Sequence, residues 1–290
     1  MVKALLKTMR PKQWTKNVFV FAALVFDKKM FNMDYLGRAV VAFFLFCLVS
    51  GVVYILNDIV DAEKDRLHPK KKNRPIASGT LPASLAAPIA AAILAVSLIL
   101  SFLLSMEFGV IILIYFLINV AYSFSLKHIV IVDVLTIAAG FVLRVAAGTV
   151  IFPIERFSPW LYVCTILLAL FLALSKRRQE IVLLASKANN HRKILDEYNL
   201  RFLDEMISMV SSTTIIAYAL YTFSAPNLPK NHLMMVTVAF VIYGIFRYMY
   251  LIHVREETAP PDEVLLKDKP LLLDVVLWVA SAVFVLYYSA

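Results

Sequence analysis

A run of apolar segments broken by short polar stretches constrains this 290-residue chain more than any other feature. A helix needs about 20 mostly apolar residues to cross a bilayer, and lipid leaves no alternative to the helix for a lone spanning segment, because backbone N–H and C=O groups find no water there. Apolar runs at 14–26, 35–59, 84–105, 108–124, 129–152, 159–174, 206–224, 232–253 and 271–289 predict about nine helices. The first is short and the sixth barely long enough, so tilt or burial within the bundle has to complete them. The fold class expected is all-α: a polytopic membrane helix bundle in which residues 1–290 form a single integral-membrane domain. With 61% hydrophobic and 17% charged residues, the soluble globular classes are excluded. Cys47 and Cys164 lie inside apolar runs and form neither a disulfide framework nor a thiolate metal pattern. No secretory cleavage site is expected, since the stretch 18–26 ends at Asp27 and Lys28 without small residues.

The lysines and arginines fall on alternate loops. One side carries Lys3, Lys7, Arg10, Lys12 and Lys16, then Lys64 to Arg74, Lys127, the series from Lys176 to Arg201, and Arg255, Lys267 and Lys269. The other side carries only Lys28, Lys29, Arg38, Arg156 and Lys230. This bias predicts a protein of the cytoplasmic (inner) membrane with its N-terminus and even-numbered loops on the cytoplasmic side and, with nine spans, a C-terminus outside. The net charge of +9 is therefore a feature of one face. The basic loops lack interleaved aromatic residues, so nucleic acid is not an expected partner.

On that basic side the second span ends in Asn57-Asp58-Ile59-Val60-Asp61-Ala62-Glu63-Lys64-Asp65. At about 100° per residue, Asp58, Asp61 and Asp65 share one helical face within about 60°, with Asn57 beside them. Like charges at these spacings oppose one another and call for a cation. Hard oxygen donors at a membrane border suit Mg²⁺, which takes one or two carboxylates and fills its octahedron with water and phosphate oxygens. Asn57, Asp58, Asp61 and Asp65 are thus the candidate metal ligands. Directly after them, His68-Pro69-Lys70-Lys71-Lys72-Asn73-Arg74-Pro75 forms a proline-stiffened basic loop, in which Lys71 offers a point charge and Arg74 a planar fork. Carboxylates for a divalent ion beside anion-binding cations are the constellation expected for a diphosphate leaving group.

Further charges lie in or near later spans. Asp133 stands near the start of the fifth and is a candidate for a second cation or a donor hydroxyl, with Lys127 shortly before it. Arg144 lies about 16 Å deeper, too far to pair with Asp133, and needs a partner on another helix, an anionic ligand, or a route for its head toward the outer surface. Lys176, Arg177 and Arg178 read as topology signals at the end of the sixth span. Arg247 reads as a snorkelling anchor, and the five histidines never fall at metal-ligand spacing.

The N-D-x-x-D-x-x-x-D run of Asn57, Asp58, Asp61 and Asp65 resembles the first motif of the UbiA superfamily of intramembrane prenyltransferases. The likeness is closer to its decaprenyl-phosphate phosphoribosyltransferase branch. It rests on R-P-K-Q-W-T-K-N from Arg10, H-P-x-K-x-x-R-P-I-A-S-G from His68, Y-S-F-S-L-K-H from Tyr122 followed by Asp133-Val134, G-F-V-L-R-V-A-A-G from Gly140, K-R-R-Q-E from Lys176, and the segment from Tyr198 to Asp204. The resemblance implies a UbiA-like bundle with a cytoplasm-facing cavity, Mg²⁺ dependence, and transfer of a 5-phosphoribosyl group from phosphoribosyl diphosphate to a polyprenyl phosphate lipid. It also implies catalytic roles for Asp58, Asp61 and Asp133, and substrate-binding roles for Lys16, Asn17, Lys71, Arg74, Tyr122, Lys127, Arg144, Lys176 and Arg177. In place of the paired aspartates of a second acidic motif, this chain carries Asp133 alone, which weighs against a prenyl diphosphate held between two acidic clusters. Two other readings stay open: a prenyltransferase acting on an aromatic acceptor, and a membrane transporter, which would favour internal repeats that the sequence does not display.

Overall fold

The computed structural model describes residues 1–67, 71–153, 158–185 and 197–288, and every regular element among them is helical. Among the described residues, eight helices are long and apolar enough to cross a membrane: α3 (Met33–Val60), α5 (Ala83–Leu104), α6 (Met106–Phe124), α7 (Val132–Thr149), α8 (Trp160–Ala185), α9 (Leu200–Ser224), α10 (Val238–His253) with the 3₁₀ turn before it, and α12 (Lys269–Tyr288). Short helices α1 (Val2–Met9), α2 (Ala22–Phe26), α4 (Ala62–Leu67) and α11 (Pro261–Lys267) lie between and before them. The chain is an integral membrane protein.

Two of the expected spans take a different form. Residues 14–26 are not one α-helix: Pro11–Phe21 is a 3₁₀-helix that runs on into α2. A 3₁₀-helix rises about 2.0 Å per residue against 1.5 Å for the α-helix, so the segment Pro11–Phe21 reaches about 22 Å in this form. The sixth span does not stop at 174 either; α8 continues through Lys176-Arg177-Arg178 to Ala185, making 26 residues. Its polar end remains helical because its side chains find protein partners.

The molecule consists of two compact units, formed by residues 1–25, 29–127 and 140–154, and by residues 26–28, 128–139 and 155–290. In the first unit, Phe46, Val49, Phe108, Ile112, Ala147 and Ile151 form one apolar core, and Met9, Val52, Ile55, Ile76 and Leu81 form another. The second core carries the loop after α4 on α3 through Ile76 and Leu81, and it carries α1 through Met9. Gly51 makes room for that approach, since a Cβ there would meet the Met9 Cε at 2.6 Å. In the second unit, Phe171, Leu203, Ile207, Tyr248, Ile252 and Leu271 pack α8, α9, α10 and α12 together.

Exposed asparagine side chains cap two of the helix starts. Asn32 accepts from the N–H groups of Asp34 and Tyr35 at the start of α3, and Asn199 accepts from Phe202 at the start of α9. Gly148 decides how closely α7 can approach the 3₁₀ segment, because a Cβ at this position would lie 2.1 Å from the Val20 carbonyl oxygen, a backbone atom that cannot rotate away. Gly148→Ala is expected to cost about 1–3 kcal/mol and lower the unfolding midpoint in detergent. Gly37→Ala, with nothing within 4 Å of the new methyl, is the matched control and leaves the midpoint unchanged or slightly raised.

Candidate active site

The acidic face lies at the C-terminal end of α3. The helix stops at Asp61, yet the N–H of Asp61 still donates to the Asn57 carbonyl at 2.9 Å and that of Asp65 to the Asp61 carbonyl at 2.8 Å. Helical register therefore passes from α3 into α4, and the carboxylates keep the common face that their spacing predicts. A helix C-terminus carries the negative end of the dipole, so Asp58 and Asp61 sit where they are least welcome, while Asp65 lies in the first turn of α4. Asp58 is 2% exposed and Asp65 3%.

Basic residues from other segments meet them. Arg10 Nη2 donates to Asp58 Oδ1 at 2.5 Å, and Arg74 Nη1 donates to both Asp58 Oδ1 at 3.2 Å and Asp65 Oδ2 at 2.6 Å. Lys127 Nζ, from the 3₁₀ turn after α6, donates to Asp61 Oδ1 at 3.3 Å. Asn57 Oδ1 accepts from the Ser123 hydroxyl. Arg74 is aimed by its loop, in which Ile76 and Leu81 are buried and the Leu81 N–H closes a turn onto the Pro75 carbonyl at 2.9 Å. Arg10 is aimed by a kink between α1 and the 3₁₀ segment, where its own backbone takes the left-handed conformation with φ 53°. A side chain there costs about 1–2 kcal/mol relative to the right-handed region. The Arg10 guanidinium also lies over the Tyr54 ring, 4.7 Å from its centre.

Among the described residues no group of three carboxylates, imidazoles or thiols is arranged as a metal site; the aspartates converge on guanidinium groups instead. The donors nevertheless fit a hard divalent ion in kind. A single Arg74 nitrogen stands where two carboxylates about two turns apart share one cation, so Asp58 and Asp65 are close enough to face one positive centre jointly.

The other candidates fall into separate networks. In the first unit, Arg144 is 8% exposed and does not reach outward to the surface. Its Nε donates to Asn17 Oδ1 at 2.8 Å, Nη1 to the Gly140 carbonyl at 2.7 Å and Nη2 to the Tyr115 hydroxyl at 2.9 Å. Asn17 is turned toward it by donating its own amide to Ser50 Oγ and Cys47 Sγ, both at 3.3 Å. Lys16 lies half-buried on the 3₁₀ segment, Lys71 half-buried at the start of the basic loop, and Tyr122 half-buried in the last turn of α6. His68, Pro69 and Lys70 lie outside the described residues.

In the second unit, Asp133 is fully buried and both its oxygens carry hydrogen bonds. Arg177 Nε donates to Oδ2 at 2.7 Å and the Tyr198 hydroxyl donates to Oδ1 at 2.8 Å. Tyr198 in turn accepts from the N–H of Ile131 at 2.7 Å, and Ile131 holds φ 68°, a strained backbone for a β-branched residue. Arg177, which charge counting alone assigns to a topology signal, is thus 2% exposed, while its neighbour Lys176 is exposed. Arg178 bonds Asp204 Oδ1 at 2.5 Å and the Ile252 carbonyl, and His253 approaches the same Asp204 oxygen at 3.1 Å. Arg247 forms a two-pronged pair with Asp268 at 3.1 and 2.7 Å rather than snorkelling alone.

The whole stretch from residue 18 to residue 267 matches the UbiA prenyltransferase family. The chain belongs to that family. It is 31% identical to the decaprenyl-phosphate phosphoribosyltransferase of Mycolicibacterium smegmatis, a match covering 100% of this chain and 94% of that protein. It is 33% identical to the enzyme of the same name from Corynebacterium glutamicum, over 98% of this chain and 86% of that protein. A solved UbiA homolog from Archaeoglobus fulgidus bound to GPP and Mg²⁺ has the same fold, with a TM-score of 0.73 and 19% identity over 98% of this chain and 99% of that one. This UbiA-family member is a transferase.

Sequence reasoning did not single out Arg10, Tyr198, Tyr115 or Ser123 as partners of the charged residues. Arg10, Ser123 and Tyr198 lie in stretches that carry the family resemblance, and that is the available signal; Tyr115 is an ordinary residue until the helices bring it to a charge. Removing Arg177 leaves the Asp133 carboxylate buried without a cation, whereas removing Asp133 leaves Arg177 its second bond, from Nη1 to Glu180 Oε2 at 2.5 Å. Arg177→Met is expected to cost about 3–5 kcal/mol and Asp133→Leu less, because Glu180 still receives the guanidinium, with the double variant recovering part of the Arg177→Met loss in denaturation experiments. Burial is the main reason the Tyr198 hydroxyl is pushed up to about 12, and its bond to Asp133 adds to this. The stabilisation this proton supplies is complete below the ordinary tyrosine value of 10.0 and is lost as pH rises through about 12. Tyr198→Phe is expected to abolish that alkaline loss, read from unfolding at stepped pH.

Proposed function

We propose that the protein transfers a 5-phosphoribosyl group from phosphoribosyl diphosphate to a polyprenyl phosphate of decaprenyl type, releasing pyrophosphate, with Mg²⁺ as cofactor. The observation that carries this reading is the juxtaposition of Asp58, Asp61 and Asp65 with Arg10, Arg74 and Lys127. Names of relatives at 31% and 33% identity over nearly the whole chain point to the same donor and acceptor.

In this reading Asp58, Asp61 and Asp65, with the Asn57 amide oxygen, hold the divalent ion. When bound, the ion neutralises the diphosphate and eases departure of pyrophosphate from the anomeric carbon. Arg10, Arg74 and Lys127 receive the charge that develops on the leaving group, and Lys71 adds to the same basic loop. Lys16 and Tyr122, which belong to stretches of the family resemblance, serve the substrates from the 3₁₀ segment and the end of α6. The acceptor phosphate is already anionic, so the protein need not supply a general base, and both acceptor oxygen and leaving group are handled by positive charge alone. Asp133, Arg177 and Tyr198 act by holding the first turn of α7, and Arg144 with Asn17 by holding the 3₁₀ segment in place. Lys176, exposed on the basic side, meets the lipid phosphate. The reaction takes place at the cytoplasmic face, where the basic residues concentrate, with the N-terminus inside.

The test is product formation by purified protein given labelled phosphoribosyl diphosphate, polyprenyl phosphate and Mg²⁺. Asp58→Ala and Asp61→Ala are expected to lower turnover by about 10²-fold or more without shifting the unfolding midpoint upward. Product formed from a prenyl diphosphate and not from the phosphoribosyl donor would assign the chain to the aromatic-acceptor chemistry of the same fold.

A further inference from the structure

We infer that the acidic patch admits its divalent ion only together with a diphosphate, because Arg10 and Arg74 occupy the carboxylates until an anion draws them away. This rests on the diphosphate-transfer reading above and adds to it the species that is bound and the order of loading.

Three observations lead there. The first is the balance of charge: each of Asp58, Asp61 and Asp65 is already paired with a basic side chain, so the ligand-free patch carries no excess negative charge to attract a free cation. The second is access. The Asp58 side chain is 2% exposed, whereas those of Arg10 and Arg74 are 30% and 28% exposed, so the carboxylate is closed off while its cationic partners face open space. At Asp58 an incoming ion meets guanidinium groups first; the Asp61 side chain is 30% exposed, and an ion that reaches it meets the Lys127 ammonium beside it. The third is the sharing of Arg74 between Asp58 and Asp65, which puts a fixed positive charge where a jointly held ion would have to go.

Bare Mg²⁺ therefore has to displace two cations and then sit beside them, with nothing to absorb the repulsion. A metal–diphosphate complex is different, because it is itself anionic and presents phosphate oxygens that match the planar fork of arginine. Arg10 and Arg74 then exchange a carboxylate for a phosphate and stay paired throughout. Tyr54 helps Arg10 in this exchange: its ring face, 4.7 Å from the guanidinium, gives the charge a partner that does not depend on Asp58. The arginines serve as placeholders for the metal and afterwards as ligands for the leaving group.

The experiment measures binding rather than turnover, on the full chain in detergent or nanodiscs, using Mn²⁺ followed by electron paramagnetic resonance and inorganic pyrophosphate as the anion. Wild-type protein is expected to bind Mn²⁺ at least about tenfold more weakly alone than with pyrophosphate present. Arg10→Gln and Arg74→Gln are expected to move the two affinities in opposite directions, tightening Mn²⁺ alone and weakening metal with pyrophosphate, each by about tenfold. Arg74→Lys, which keeps the charge and loses the fork, leaves Mn²⁺ alone weak and still weakens the pyrophosphate complex. Arg10→Gln leaves Arg74 bridging Asp58 and Asp65, so it retains the packing of the patch. Equal Mn²⁺ affinity with and without pyrophosphate in wild type, or weaker or unchanged binding of Mn²⁺ alone in both glutamine variants, overturns the placeholder role while leaving the diphosphate reading standing. Failure of wild type to bind Mn²⁺ even with pyrophosphate overturns that reading, and the placeholder role with it.

Discussion

Three carboxylates at the C-terminal end of a membrane helix set the central electrostatic problem of this structure. They repel one another, Asp58 and Asp61 oppose the dipole of α3, and Asp58 and Asp65 are shut off from water. Stability then requires cations brought from elsewhere in the chain. The αL kink at Arg10, the glycine that lets α1 lie close against α3, and the burial of Ile76 and Leu81 beneath the basic loop all serve that delivery. Parts of the fold far apart in sequence are thus tied to the last turn of α3 by charge, with apolar packing fixing the angle of approach.

Buried charges elsewhere are handled in two other ways. Asp133 and Arg177 neutralise each other, and a phenolic hydroxyl completes the carboxylate. Arg144 instead draws on neutral oxygens of Asn17, Tyr115 and the backbone, while the faces of Tyr115 and Phe141 lie 4.9 and 5.3 Å from its guanidinium carbon. Dipoles and π faces can hold a cation in a low-dielectric setting when several act together. The contrast matters for function. Networks whose members satisfy one another position helices, whereas the Asp58 patch keeps its basic members partly exposed and so remains able to exchange partners.

Much of this was legible in the amino-acid order. Apolar runs locate the eight long helices of the described residues, and the spacing of Asp58, Asp61 and Asp65 locates the acidic face together with its need for positive charge. Where reading along the chain fell short, the reasons are specific. Hydropathy cannot distinguish a 3₁₀ stretch from an α-helix, so Pro11–Phe21 looked like an ordinary short span. Nor can it extend a span through Lys176-Arg177-Arg178, because a charged side chain scores as exposed whether or not an acid awaits it. Arg177 was counted with its neighbours for the same reason, although it is the buried member.

The order of residues by itself determined that the chain lives in lipid, that it is helical, and that acid and base concentrate on one face, since each of these follows from local composition and the period of a helix. Which base meets which acid was decided only by the tertiary structure. Arg10 finds Asp58 across 48 positions, Lys127 finds Asp61 across 66, and Arg177 finds Asp133 across 44. Pairings over such separations depend on packing angles and loop anchors that no local pattern encodes, and they follow from the cost of leaving any of these charges in lipid without a partner.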